Sequence, residues 1–226
     1  MFSWGEDCQR GFWLNGDSST DRGVHHLNVG YNVTGLSAGG SVLAFVKSNG
    51  NAFILRTYEG KDGNRVRGKQ KFVKCKEKIE AVSCEDDVVT LLSERGSVFC
   101  VDTTHTPRIL GAFSNIQVAQ VACGSQHSVA LTKECQVYTW GLDSRGQLGL
   151  GKKGSGARSP QQVRSLSSVP VVRISAGGDQ SFALSVSGGV FCWGRNNCGQ
   201  LGLGDTKGAV GNYLIKLSLT TTYSNV

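Results

Sequence analysis

The apolar positions of this chain fall in short unbroken runs separated by polar, glycine-rich breaks. Val88-Val89-Thr90-Leu91-Leu92, Val98-Phe99-Cys100-Val101 and Val190-Phe191-Cys192-Trp193 are typical. Runs this short, rich in β-branched and aromatic residues, predict strands. A strand with one wet face would alternate apolar and polar residues, so near-continuous apolar runs imply burial on both faces. The breaks Ser48-Asn49-Gly50-Asn51 and Ser187-Gly188-Gly189 suit hairpin turns, where glycine takes positive φ at little cost. The pattern predicts an all-β chain of small sheets, each lying between two others.

Internal repetition shows how those sheets are ordered. Val121-Ala122-Cys123-Gly124-Ser125-Gln126-His127-Ser128-Val129-Ala130-Leu131 matches Ile174-Ser175-Ala176-Gly177-Gly178-Asp179-Gln180-Ser181-Phe182-Ala183-Leu184. Seventeen residues after Cys123 comes Trp140-Gly141, and seventeen after Ala176 comes Trp193-Gly194. Each pair runs into an identical Gly-Gln-Leu-Gly-Leu-Gly, at 146–151 and 199–204, which contain Gly146, Gly149, Gly199 and Gly202. Two degenerate copies stand upstream, anchored at Ala38 and Cys84, with Leu55 and Val101 in the tryptophan position. The four anchors are 46, 39 and 53 residues apart, within the range of propeller blades. Met1-Phe2-Ser3-Trp4-Gly5 matches Val137-Tyr138-Thr139-Trp140-Gly141, so the chain opens partway through a blade. The predicted units are 33–78, 79–117, 118–170 and 171–206, after an N-terminal strand at 1–5 and before a divergent tail at 207–226.

Composition agrees with this architecture. Of 226 residues, 39% are hydrophobic and 18% charged, and there are 31 glycines but only three prolines. That is about twice the usual ~7% glycine, with no collagen period. The opening lacks the basic leader and apolar run of a secretory signal, and no stretch reaches the ~18 apolar residues of a membrane helix. The expectation is a soluble chain without membrane insertion, cytoplasmic or also nuclear, whose eight cysteines stay reduced. Cys84, Cys100, Cys123 and Cys192 read as buried, inert thiols. The Asn32-Val33-Thr34 sequon goes unused, and no cysteine or histidine spacing fits a zinc finger or ribbon.

The repeat resembles the regulator-of-chromosome-condensation repeat, the unit of a seven-bladed β-propeller. Units three and four are most similar to the N-terminal propeller of the small HERC ubiquitin ligases, which also open on a Met-x-x-Trp-Gly strand. The resemblance implies an incomplete propeller of about four of seven blades plus an N-terminal closing strand. It implies proteins as partners, as ligase substrates or regulators, with ubiquitin transfer belonging to a catalytic domain that these residues do not include. Two other family roles stay open: guanine-nucleotide exchange on a small GTPase, and binding to chromatin or nucleic acid. Family units continue from this point into a Pro-x-x-Val-x-x-Leu strand, as Pro160 to Leu166 does; the tail contains no such pattern. An open arc of this kind exposes two apolar blade faces, which bind something or aggregate.

No catalytic site, cofactor, metal or small-molecule substrate is expected. Gly149 to Gly154 fits G-x-G-x-x-G, and Gly146 to Lys152 fits most of a P-loop, but neither is followed by a helix that would aim amides at phosphate. The repeat accounts for the same glycines. His127 reads as a hydrogen-bonded structural histidine, and His25, His26 and His105 have no partner for acid–base work.

The charged stretch is local. Of a net +7, +6 lies within Lys61–Lys78. Arg65, Arg67, Lys69 and Lys71 alternate, so an extended chain puts all four on one face; Lys74 follows. Such a stretch either protects an edge from strand addition or meets an acidic partner: nucleic acid, a nucleosome, an acidic protein patch or an anionic membrane surface.

Overall fold

The computed structural model describes residues 2–3, 25–26, 32–61, 65–86, 88–151, 154–206 and 215–217. Strands β1 (Phe2–Ser3) and β2 (His25–His26) form an antiparallel pair. Four antiparallel sheets follow, each a blade. The first has β3 (Val33–Ala38), β4 (Val42–Lys47), β5 (Ala52–Glu59) and an outer strand split into β6 (Arg65–Arg67) and β7 (Lys71–Val73). The second has β8 (Ile79–Glu85), β9 (Val88–Ser93), β10 (Val98–Val101) and β11 (Pro107–Ile109). The third has β12 (Val118–Cys123), β13 (His127–Thr132), β14 (Val137–Leu142) and β15 (Gly156–Gln162), and the fourth has β16 (Val171–Gly177), β17 (Gln180–Ser185), β18 (Val190–Gly194) and β19 (Ile215–Leu217).

Each blade packs on the next along the chain, and among the described residues the stack does not close. Val42, Ala44 and Ile54 of the first blade meet Val89, Leu91 and Phe99 of the second. Leu92, Val98 and Phe113 meet Ala130 and Trp140. Val129, Leu131 and Val137 meet Val171, Ala183 and Trp193. Each of the valine, leucine, isoleucine and phenylalanine side chains contributes roughly 1.5–3 kcal/mol by leaving water. The inner blades show the predicted two-sided burial, for all six residues of β13 are buried. Strand β17 instead alternates buried and half-buried positions, because no described blade covers its outer face.

The seams are also tied by a repeated polar contact. The Ser37 hydroxyl accepts the N–H of Cys84 at 3.0 Å, and the Cys84 thiol donates to the Ser37 carbonyl at 3.1 Å. One blade further on, Ser83 accepts the N–H of Cys123 at 2.9 Å, and the Cys123 thiol donates to the Ser83 carbonyl at 3.2 Å. Cys84 and Cys123 are two of the four repeat anchors. Burial raises both thiols, Cys84 to about 11, and it also raises Cys100 and Cys192.

The tail behaves differently from its sequence. Cys192 pairs with Ile215 and Phe191 with Lys216, the register in which Thr139 pairs with Gln161 and Tyr138 with Gln162. Three tail residues thus serve as the outer strand of the fourth blade without the Pro-x-x-Val pattern. Backbone pairing needs only free N–H and C=O groups, so side-chain identity did not reveal it.

Candidate interaction surface

The tryptophans of the repeat pack at blade seams, and the glycines that follow them lie against turns of their own blades. Gly141 and Gly194 hold φ of 111° and 107°, and a Cβ at either would strike the carbonyl of Gln126 or Asp179. The glycine of each Trp-Gly pair is therefore needed where its strand crosses a neighbouring turn. Trp193 is fully buried and donates its indole N–H to the Gln147 carbonyl at 2.9 Å. Ser181 donates its hydroxyl proton to the same carbonyl at 3.0 Å. With that proton committed, Ser181 Oγ, 2.7 Å from His127 Nε2, must accept from it. His127 Nδ1 then carries a lone pair and is buried with no hydrogen-bond partner. Burial depresses His127 to about 4, despite the opposing Asp179 charge. Trp140 takes the equivalent place one blade back, edge-on to Phe113 with ring centroids 6.0 Å apart. Trp4 and Gly5 lie outside the described residues.

At one end of the stack the turns after the first strands converge. Glu85 Oε1 accepts the Gly178 N–H at 2.8 Å and the Ser125 hydroxyl at 3.4 Å. Ser125 N–H donates to the Gly178 carbonyl at 2.8 Å. One carboxylate of the second blade so links the turns of the third and fourth. Nothing in the degenerate Cys84-Glu85-Asp86 unit suggested this role.

The basic stretch does not form the single-faced ladder its alternation predicts. Arg67 pairs with Thr57 and Arg65 with Glu59, whereas Lys71 pairs with Ile54 and Phe72 with Phe53. Cross-strand partners share a face, and Thr57 and Ile54 are on opposite faces of β5. Backbone positions 65 and 67 therefore belong to one face and position 71 to the other. The cause is an irregularity between β6 and β7, where Gly68 N–H returns to the Arg56 carbonyl at 2.8 Å and one residue is inserted. Lys69, Lys71 and Lys74 are exposed. Glu77, an acidic residue of the stretch, is engaged by the hydroxyls of Ser93 at 2.6 Å and Ser97 at 3.2 Å.

The fold also brings in charges the sequence did not assign to this patch. Arg56 shares the face of Lys71 and donates from Nη2 to the Asp102 carbonyl at 3.5 Å. His105 is lowered by burial and by the charges of Arg56 and Lys71. Asp102 is held low chiefly by the Thr104 hydroxyl, with Arg108 contributing. Arg56, Lys71, His105 and Arg108 thus gather where the perimeters of blades one and two meet. Contact across the first seam, unlike strand alternation, leaves no periodic signal.

Among the described residues, no group of three His, Cys, Asp or Glu could hold a metal, and no helix is long and apolar enough to cross a membrane.

Comparison with known proteins matches this geometry. Residues 136–184 fit the profile of the regulator of chromosome condensation (RCC1) repeat, and residues 118–147 and 171–200 fit a second profile of that repeat. Residues 118–200 thus match RCC1 repeats. The human probable E3 ubiquitin-protein ligase HERC3 is 50% identical over 106 residues, covering 47% of this chain and 10% of HERC3. The chain therefore spans a small part of that relative's length. Among solved structures, human WBSCR16 superposes with a TM-score of 0.76 at 22% identity, covering 96% of this chain and 62% of that one. Prp20p from Saccharomyces cerevisiae superposes with a TM-score of 0.65 at 23% identity, covering 84% and 52%. These likenesses show the fold, an RCC1-type β-propeller represented here by an unclosed arc.

Proposed function

We propose that this RCC1 arc is a protein-docking module of the HERC type, one that positions a substrate or regulator for ubiquitin transfer carried out by another domain. The observation that carries the reading is the 50% identity to HERC3 over 106 residues. In this reading the chain works in the cytoplasm, or also in the nucleus, which imaging of a tagged chain tests. The decisive experiment places this chain in trans with a full-length HERC-type ligase and its known substrate. A docking module sharing the ligase's surface lowers substrate ubiquitination in proportion to its concentration. Unchanged ubiquitination at a large excess of the chain would overturn the reading.

A second reading is supported by the basic cluster at blades one and two. The structure of Prp20p was described together with that protein's binding to Gsp1p and histones, so a small GTPase or a nucleosome is the alternative partner class. Accelerated nucleotide release from a GTPase panel, or salt-sensitive nucleosome retention through Arg65, Arg67, Lys69, Lys71 and Lys74, would favour it over the ligase reading.

A further inference from the structure

The outer strands of blades one and two face each other across the first seam. Ile54 of blade one and Phe99 of blade two belong to the cluster packed between them. Lys71 pairs with Ile54 and Ile109 with Phe99, and cross-strand partners share a face. Lys71 and Ile109 therefore stand on the two faces that meet in this seam. Val73 and Phe99 are buried beneath them, whereas Lys71 is exposed and Ile109 is 56% exposed. The result is a groove on the outer rim whose two walls are blades packed on each other.

The walls differ in chemistry. Arg56 and Tyr58 follow Ile54 at alternate positions of β5, so they share its face and that of Lys71. Arg56 is anchored across the seam by its bond to the Asp102 carbonyl at 3.5 Å, and Tyr58 is exposed. The step from position 54 to position 56 is ~6.6 Å along the strand, so Lys71 and Arg56 place two cations in a row on the wall of blade one. Ile109 makes the wall of blade two apolar. His105 reports the field between them, for after burial the largest causes lowering it are the charges of Arg56 and Lys71.

The acidic groups nearby are directed elsewhere. Asp102 turns its Oδ1 to its own loop, accepting the N–H of Thr104 at 2.9 Å, the N–H of Thr106 at 3.4 Å and the Thr104 hydroxyl at 2.5 Å. Glu59 pairs with Arg65 at positions of the opposite face of blade one. A groove with two spaced cations on one side and an isoleucine on the other suits an extended peptide. Residues i and i+2 of such a peptide project to one side ~6.6 Å apart, and residue i+1 projects to the other. A phosphodiester backbone has no apolar side chain between two charges to set against Ile109.

We infer that this groove docks an extended acidic segment of a partner protein, in which two carboxylates flank one apolar residue. The carboxylates lie on Lys71 and Arg56, and the apolar side chain lies on Ile109. The inference rests on the reading of the arc as a protein-docking module and adds the chemistry of the docked segment.

Fluorescence anisotropy of the 226-residue chain with a labelled peptide tests it, the peptide carrying Glu-Leu-Glu at the centre of a glycine-serine sequence. The peptide binds saturably. A Gln-Leu-Gln peptide and a Leu-Glu-Glu peptide, the latter with the same charge in the wrong spacing, each bind more weakly. Lys71→Gln weakens binding of the Glu-Leu-Glu peptide about 2- to 5-fold, as for one exposed ion pair. Ile109→Ser weakens it as well, while Lys133→Gln, an equal loss of charge on an exposed turn of blade three, does not. All three variants keep the native melting transition. Absence of saturable binding, equal affinity for Leu-Glu-Glu, or equal effects of Lys71→Gln and Lys133→Gln would each overturn the inference. Duplex DNA that displaces the peptide and itself binds more tightly through Lys71 would assign the groove to a polyanion and overturn it too. Peptide binding is measured without a ligase, so the groove can fail while inhibition of ubiquitination in trans holds, and the reverse.

Discussion

The carboxylate of Glu85 accepts the backbone N–H of Gly178 at 2.8 Å, although 93 residues separate the two. The bond reaches from the second blade past the third to the turn of the fourth. A tie across two seams resists splaying of the blades it joins. Glu85→Ala leaves the Gly178 N–H without its charged acceptor and should cost about 1–2 kcal/mol. Glu85→Gln keeps a carbonyl oxygen there and should cost less. Urea denaturation midpoints of the two variants check the order; equal losses would mean that the acceptor does not matter.

The tie between Trp193 and Gln147 makes a separable demand. Trp193→Phe retains most of the buried ring surface but removes the N–H, leaving Ser181 as the remaining donor seen at the Gln147 carbonyl. The expected loss is about 1 kcal/mol. Trp193→Ala also opens a cavity and should cost about 3–5 kcal/mol. Chemical denaturation of both variants distinguishes the hydrogen bond from the packing.

Much of this seam is legible in the sequence because it is written twice. Trp140-Gly141 and Trp193-Gly194, each followed by the same hexapeptide, give the register and the blade order. Contacts made once are silent: nothing around Glu85 marks it as a link, since its partners are a backbone N–H and a serine in other blades. The basic strand misled for a physical reason. Alternation predicts a common face only in an unbroken strand, and the inserted residue near Gly68 reverses the face between Arg67 and Lys71. The outer strand at Ile215 escaped notice because main-chain pairing makes little demand on residue type.

Thiol chemistry should divide the cysteines by place. Cys84 is buried and raised to about 11, and Cys123 is buried and raised as well. Cys198 is exposed. At mildly alkaline pH, a maleimide should modify Cys198 in the native chain while Cys84 and Cys123 react only on unfolding, because the thiolate is the nucleophile. Peptide mapping by mass spectrometry after a timed pulse reads the order; early labelling of Cys84 would show that the first seam opens.

His127 should impose a pH dependence on the seam between blades three and four. Burial depresses its folded-state value to about 4, against about 6.5 in an unfolded chain. Between those values the unfolded state binds the extra proton, so stability falls as pH drops from about 6.5 and the loss levels off near 4. Integrated over the window, the loss is roughly 3 kcal/mol. His127→Gln places here the residue that the fourth blade has at Gln180. It should remove that part of the slope, whatever it does to stability at neutral pH. Denaturation midpoints of both chains at several pH values decide the matter, and parallel profiles would contradict the assignment.

The split of the basic stretch limits how a polyanion can bind it. Four cations on one face would each meet a phosphate, and at a slope near −0.9 per contact that means roughly 150-fold weaker binding from 50 to 200 mM salt. With positions 65 and 67 on one face and position 71 on the other, a stiff duplex engages about two at a time. The expected weakening is then only about 12-fold. The face holding Lys71 also has Arg56, with Arg108 close by on blade two, so neutralising Lys71 and Arg108 together should reduce the slope more than neutralising Arg65 and Arg67. Filter binding of duplex DNA across a salt series measures both. A slope near −3.6, lowered equally by either pair, would mean that the two faces act as one.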